Sequence, residues 1–327
     1  MHATPAPGGH FRRLVAPSAL LVGAAVLIYV LALAWSGPAL TWEAARRLGW
    51  PGLLAGTAVA SLSYGVRFLR WHFMLRILAH RIPWALNLRV YLSGLGLTSS
   101  PGKLGETVRS VFLLPHGVRL PDSLAAFFAD RLSDVIGVAL LGALAAAGSG
   151  QRVPLLEALA AAVLLLSFAL RAGVTDPRWA GWVARLWRWG RAGRWLSAAS
   201  FPALSWARLW SPRHVPVYVA AAVLAYGLQA LVFAHFVAVV ALPLPVLQCV
   251  AIFAAATLIG AGSMVPAGLG VMEAALVLQL TLVGAAPDAA VAVALLTRLA
   301  TLWFGLLLGA LALLSLARPQ PDTAGRE

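Results

Sequence analysis

Long apolar runs broken by short polar stretches set the pattern of this chain. The first run extends from about Val15 to Trp35, after Arg12 and Arg13, and the next from about Pro51 to Leu69. Later runs cover roughly Asp122 to Ala147, Pro154 to Leu170, Val215 to Leu242 and Ala289 to Leu316. Each is close to the 20 or so residues that an α-helix needs to cross a bilayer. Six spanning helices are therefore predicted. The run at 15–35 is read as an uncleaved span, because it is long enough to cross and more spans follow. Two further segments do not fit a simple span. One contains Pro101, Gly102 and Gly105, and the other Pro266, Gly268 and Gly270. These hairpin breaks predict re-entrant hairpins, in which two half-helices meet at a turn inside the membrane. Non-helical backbone is tolerated at that depth only where protein buries it or a cavity hydrates it.

Composition narrows the class. Of 327 residues, 61% are hydrophobic and 11% charged, which excludes an ordinary soluble protein. Unbroken Ala, Leu and Val runs also exclude the alternating strands of an outer-membrane barrel. The fold class expected is an all-α integral membrane protein. The single cysteine, Cys249, rules out an intrachain disulfide.

The 25 basic residues against 11 acidic ones give a formal charge of +14. In a membrane protein this excess marks cytoplasmic loops and does not indicate nucleic acid. The basic regions are the 70–89 stretch and the loop at 171–213, which is also rich in Trp and reads as an amphipathic surface segment. Both reach one side of the membrane only if the Pro101 and Pro266 segments return to their own side. The expected organisation is a cytoplasmic N-terminus over 1–14, then a first repeat over 15–147 with its hairpin near 90–115. A second repeat over 154–316 has its hairpin near 244–283, and a cytoplasmic tail covers 317–327. The cytoplasmic (inner) membrane is the expected location.

The repeat rests on four matches in one order. Tyr64-Gly65-Val66 answers Tyr226-Gly227-Leu228, and the pattern P-x-x-L-G recurs at Pro101 and Pro266. Glu106 and Glu273 follow the two breaks. Arg131 answers Arg298, each with Gly-Ala-Leu-Ala starting eleven positions on. Three spans per repeat is an odd number, so the second copy is expected to be inverted. Inverted repeats with broken helices are common in alternating-access transporters.

The charged residues inside the spans are the candidate chemistry. An arginine at mid-bilayer costs about 2.5–3.5 kcal/mol on insertion scales, so Arg131 and Arg298 must face a partner or a watery cavity. Two readings fit. They grip an anionic lipid head group, as guanidinium does bidentately, or they form internal ion pairs, Arg131 with Glu106 or Asp134 and Arg298 with Glu273. Lys103 and Arg109 join the head-group candidates, because a helix restarting after Pro101-Gly102 points free N–H groups at an anion. Lys103 also fits a snorkelled interfacial charge. Glu106, Asp130, Asp134 and Glu273 are the candidates for charge balance or coupling. Asp130 and Asp134 share a helix face, where they suit a metal, a proton relay or, the reading preferred, neutralisation of Arg131 and Arg109. Arg67, Arg70 and Trp71 read as an interfacial anchor, with a first contact for lipid head groups as the alternative, and His72 and His235 as structural, with a pH-dependent charge switch as the alternative.

No P-loop, H-E-x-x-H, H-x-x-E-H or G-x-S-x-G pattern occurs. No enzymatic activity, cofactor or metal is expected.

Arg67-Phe-Leu-Arg-Trp71, Ser100-Pro-Gly-Lys-Leu-Gly-Glu-Thr-Val-Arg109, Asp130-Arg-Leu-Ser-Asp134, Val265-Pro-Ala-Gly-Leu-Gly-Val-Met-Glu-Ala-Ala275 and Thr297-Arg-Leu299 together resemble the flippase-like family. This is the transmembrane region of lysylphosphatidylglycerol synthases and its stand-alone relatives. The resemblance runs from about Leu14 to Leu316. It implies lipid translocation, without the cytosolic domain that attaches the amino acid in the synthases. Where Pro-Gly-Gly is common in the family, this chain has Pro266-Ala267-Gly268.

The function expected is transport of an anionic phospholipid or polyprenyl-phosphate-linked lipid across the cytoplasmic membrane. The alternatives are a non-transporting subunit of a lipid or glycolipid synthesis complex, and a metal-dependent lipid-modifying enzyme using Asp130 and Asp134. Expected partners are membrane lipids, lipid-synthesis enzymes and a second copy of the chain.

Overall fold

The computed structural model describes residues 38–97, 108–151, 153–186 and 190–317, all of whose regular structure is helical. The expected first span at 15–35, the tail at 318–327, and Pro101, Gly102, Lys103, Gly105 and Glu106 lie outside the described residues. Helix α1 covers Pro38–Ile77 and bends at Gly49, whose φ of 63° stands two residues before Pro51. Proline lacks an N–H for the helix ladder and glycine takes the left-handed backbone without strain, so the pair forms the bend. The helix runs eight residues beyond Leu69, the end expected for the second span. Arg70 and Arg76 are therefore helical and not part of a basic loop.

Helix α2 (Trp84–Gly96) and the short α3 (Val108–Leu113) flank the first break and pack on each other. Helix α4 (Leu120–Gly148) carries the Asp130–Asp134 stretch, and α5 (Pro154–Thr175) follows. The basic Trp-rich segment forms α6 (Trp179–Leu186) and α7 (Gly190–Leu209). Helix α8 (Val215–Val239) precedes a helical hairpin made of α9 (Val246–Gly262) and α10 (Val271–Leu282). The last helical stretch consists of α11 (Pro287–Arg298), a π-helical turn at Leu299–Trp303, and α12 (Phe304–Ala317). Pro121, Pro154, Pro216 and Pro287 stand in the first turns of α4, α5, α8 and α11. Proline there loses no hydrogen bond and presets φ.

Four described helical stretches are long and apolar enough to cross a bilayer: Gly49–Ile77, Pro154–Thr175, Val215–Val239 and Pro287–Leu316. Helix α4 is comparably long, but much of its length is buried in protein. Leucines such as Leu165, Leu166, Leu282 and Leu314 are more than 60% exposed. So many exposed apolar side chains suit contact with lipid. The protein is an all-α, multi-pass membrane protein.

The packing crosses between the halves. Helix α2 lies on α12, α9 lies on α4, and α1 lies on α8. Glycines set these approaches. A Cβ at Gly309 would fall 2.0 Å from the Gly96 nitrogen, and one at Gly137 would fall 2.4 Å from the Ala222 Cβ.

One buried carboxylate gathers the basic end of the bundle. Asp122 is 1% exposed; its Oδ2 lies 2.9 Å from His80 Nε2 and accepts from Arg119 Nε at 2.9 Å, while Ser205 Oγ donates to Oδ1 at 2.5 Å. The loop after α1, the start of α4, and α7 therefore meet at one end.

Candidate functional site

A cavity of about 290 Å³ lies between α1, α4, α8, the turn of the α9–α10 hairpin and the α11–α12 stretch. Its walls are mainly apolar. The polar side chains on them are Tyr64, Arg67, Arg131, Asp134, Tyr226, Gln229, Thr257, Arg298 and Thr301.

On one wall, α1 and α4 are joined by charge. Residues three and four apart share a helix face, so Arg67 and Arg70 of α1 face Asp130 and Asp134 of α4. Arg70 donates through Nε to Asp130 Oδ1 at 2.8 Å and through Nη2 to Asp134 Oδ1 at 2.6 Å. Its Nη1 reaches the Tyr218 carbonyl of α8 at 3.4 Å. Arg67 Nη2 donates to Asp134 Oδ2 at 3.2 Å. Arg131 pairs with Asp130, its neighbour, and lies 3.2 Å from Asp134 Oδ2. Tyr226 Oη, from α8, donates to the same Oδ2 at 3.2 Å. Buried charges survive desolvation only when paired and hydrogen-bonded, and this cluster meets that condition from three helices.

On the opposite wall, Arg298 closes the turn of the second hairpin. Its Nε donates to Glu273 Oε1 at 2.8 Å, its Nη2 to the Ala267 carbonyl at 2.7 Å, and its Nη1 to Met272 Sδ at 3.3 Å. The turn has positive φ at Ala267, Gly268 and Gly270 (53°, 64° and 78°). Breaking the helix there leaves carbonyls without ladder donors, and Arg298 supplies one. Gly268 is required twice over, because a Cβ would also stand 3.3 Å from the Gly260 backbone. The π-helical turn follows directly after Arg298, a distortion often found at functional sites.

The structure brings together Arg131, Asp130, Asp134, Arg298, Glu273 and the Gly268 turn. The expected pairs Arg131–Asp134 and Arg298–Glu273 both occur. Pro266 and Gly270 flank the same turn. Arg109 is elsewhere, 1% exposed, with its guanidinium 4.2 Å from the Tyr91 ring centroid and 5.3 Å from that of Trp71. Its Nε donates to the Tyr91 carbonyl at 3.1 Å. It is not on the cavity wall, and the guanidinium groups seen on Asp130 and Asp134 are those of Arg67, Arg70 and Arg131. Arg67, Arg70 and Trp71 are not an interfacial anchor either. All three are buried, because α1 continues inward-facing past Leu69. His72 packs against Phe68 and Trp84, with Nδ1 2.7 Å from Asn87 Nδ2.

The sequence pattern placed Arg67 at the interface, not in a cavity, and gave no role to the two tyrosines. The signal was present: Arg67 lies inside an apolar helix, one turn after Tyr64, where, like Arg131, it must face a partner or a watery cavity. Among the described residues around the cavity, four arginines (67, 70, 131 and 298) face three carboxylates (130, 134 and 273), leaving one positive charge in excess. No three His, Cys, Asp or Glu side chains converge among the described residues. Asp130 and Asp134 direct their oxygens at guanidinium groups.

No curated protein matches the chain. The family model for the lysylphosphatidylglycerol synthase TM region matches residues 20–309. That range holds every side chain of the cavity and nearly all of the described bundle, so the protein belongs to the lysylphosphatidylglycerol synthase transmembrane-region family, a family of membrane proteins concerned with lipids.

Proposed function

We propose that the protein moves an anionic, phosphate-bearing lipid across the cytoplasmic membrane without altering it chemically. The head group enters the cavity while the tails stay in the bilayer. The observation that carries this reading is the convergence of Arg67, Arg131 and Arg298 on one cavity inside apolar helices. Guanidinium groups suit phosphate bidentately, and charge at this depth otherwise marks a transport path. The exchange of partners between halves supports an inverted repeat: the first hairpin's arm α2 lies on α12, and the second hairpin's arm α9 lies on α4. Such a pair of repeats has its substrate site at their interface. Asp130, Asp134 and Glu273 balance the arginines when no lipid is bound. Both termini and the basic loops face the cytoplasm in this arrangement.

The test is movement of fluorescent anionic lipid in liposomes containing the purified protein. Wild type is expected to carry the lipid between leaflets, and Arg131→Gln/Arg298→Gln to lose that movement while eluting as the same monodisperse species. Glutamine keeps a hydrogen-bond donor beside the buried carboxylates. Undiminished movement in the folded double variant overturns the site. No movement by wild type with any anionic or prenyl lipid favours a non-transporting subunit of a lipid-synthesis complex.

A further inference from the structure

Two tyrosines tie the halves together across the cavity, and their acceptors differ in kind. Tyr64 and Tyr226 hold matching places in the repeated sequence, and both are buried at the cavity wall. Tyr226 of the second half donates to Asp134 of the first half at 3.2 Å. Tyr64 of the first half donates to the Thr301 carbonyl of the second half. Asp134 and Thr301 also match, each three residues after a cavity arginine. One geometry is therefore built twice, once on a charged side chain and once on a neutral backbone group inside the π-helical turn. The glycine at 305 accommodates the second contact, since a Cβ there would come within 2.8 Å of the Tyr64 hydroxyl.

Resting on the reading of the cavity as an anion site, we propose that the Tyr226–Asp134 contact is an occupancy-sensitive latch released by a phosphate group in the cavity, and that the Tyr64–Thr301 contact is a passive fastening. Asp134 is held toward the cavity by Arg67 and Arg131, the two arginines that line it beside Tyr226. A phosphate bound between them draws the same guanidinium protons and repels the carboxylate as a like charge. Asp134 then keeps its partner on the far side, Arg70 at 2.6 Å, and turns from Tyr226. The α8–α4 seam loses its inter-half hydrogen bond. The Thr301 carbonyl carries no charge and is fixed in its helix, so nothing at the seam between α1 and the α11–α12 stretch responds to the ligand. A ligand shifts a conformational equilibrium only through such a differential interaction.

The experiment places spin labels on cysteines at exposed positions in a Cys249→Ser background. Leu224 with Phe128 reports on the α8–α4 seam, and Leu62 with Leu307 reports on the seam between α1 and the α11–α12 stretch. The protein is held in phosphatidylcholine nanodiscs alone, with added phosphatidylglycerol, or with inorganic phosphate, which separates a lipid head group from free phosphate as the source. Binding of radiolabelled phosphate is followed in parallel. The expected result is a shift of the 224–128 distance in the anion arms and none at 62–307. Tyr226→Phe should show the shifted distance without any anion. Asp134→Asn, which lacks the repelled charge, should abolish the response. Tyr64→Phe should alter 62–307 equally in every arm. Phosphate binding with an unmoved 224–128 distance overturns the latch alone. Absence of binding by wild type in every anion arm overturns the anion site and the latch with it. Anion-free Tyr226→Phe or, should that variant not fold, Asp134→Asn behaving as wild type also overturns the latch.

Discussion

At the scale of single residues, the buried arginines are the most consequential groups. Arg70 is 3% exposed and is the shared partner of Asp130 and Asp134. Arg70→Ala leaves two buried carboxylates without it, so it should destabilise the protein by roughly 3–5 kcal/mol, the range for breaking a buried pair. Arg119 also pairs with a buried aspartate, but its side chain is 71% exposed. Arg119→Ala should therefore cost about 0–1 kcal/mol. Thermal unfolding in detergent compares the two, and equal losses would contradict this account. Gly94 is a second test. A Cβ there would fall 2.1 Å from Arg109 Nε, so Gly94→Ala must push the guanidinium away from Trp71 and Tyr91. Overpacking of this kind typically costs about 1–3 kcal/mol, read as a lower unfolding temperature. The sequence made Arg131 and Arg298 legible, since an arginine in an apolar helix must have a reason. It did not make Arg109 legible. The two aromatic rings that enclose it come from α1 and α2, too far away in sequence to leave a local signal.

At the scale of elements, the helices followed the hydropathy pattern closely where the pattern was unbroken. The expected spans at 122–147, 154–170, 215–242 and 289–316 reappear within a few residues as α4, α5, α8 and the α11–α12 stretch. The second Pro/Gly break is a turn between two packed helices. What the pattern did not reveal was how closely elements approach. Gly96 and Gly309 bring α2 and α12 into backbone contact, a use of small residues that membrane helices favour because they lack a hydrophobic drive to associate. Gly309→Ala should separate this pair and lower thermal stability. Gly173→Ala in α5, where a Cβ meets nothing within 4 Å, should be neutral or stabilising by up to about 1 kcal/mol from chain entropy alone. An unfolding scan that ranks the two variants the other way round would show that the crossing is not tight. The extension of α1 past Leu69 was hidden because Arg70 and Arg76 looked like a cytoplasmic boundary. Partners on α4 and α8 make Arg70 an interior residue.

At the scale of the whole molecule, the Asp122 cluster joins the loop after α1, the start of α4, and α7 at one end. Single cysteines at Arg81 and Arg208 should accordingly react with a membrane-impermeant maleimide from the same face in oriented vesicles, that of the cytoplasm. Labelling from opposite faces would contradict both the positive-inside assignment and the return of the Pro101 segment to its own side. The sequence by itself determined the class, because 61% hydrophobic residues in runs of spanning length cannot be buried in any soluble fold of this size. It also determined which charges must be special, because hydrocarbon penalises a charge regardless of fold. Beyond the expected Arg131–Asp134 and Arg298–Glu273 pairs, only the tertiary structure decided which charges meet. Arg67 and Asp134 are 67 residues apart, and Tyr226 and Asp134 are 92 apart. Neither spacing carries a local signal, since helix periodicity orients a side chain within its own helix. The partner it finds depends on how helices cross, and here the glycines and the turns between half-helices set those crossings.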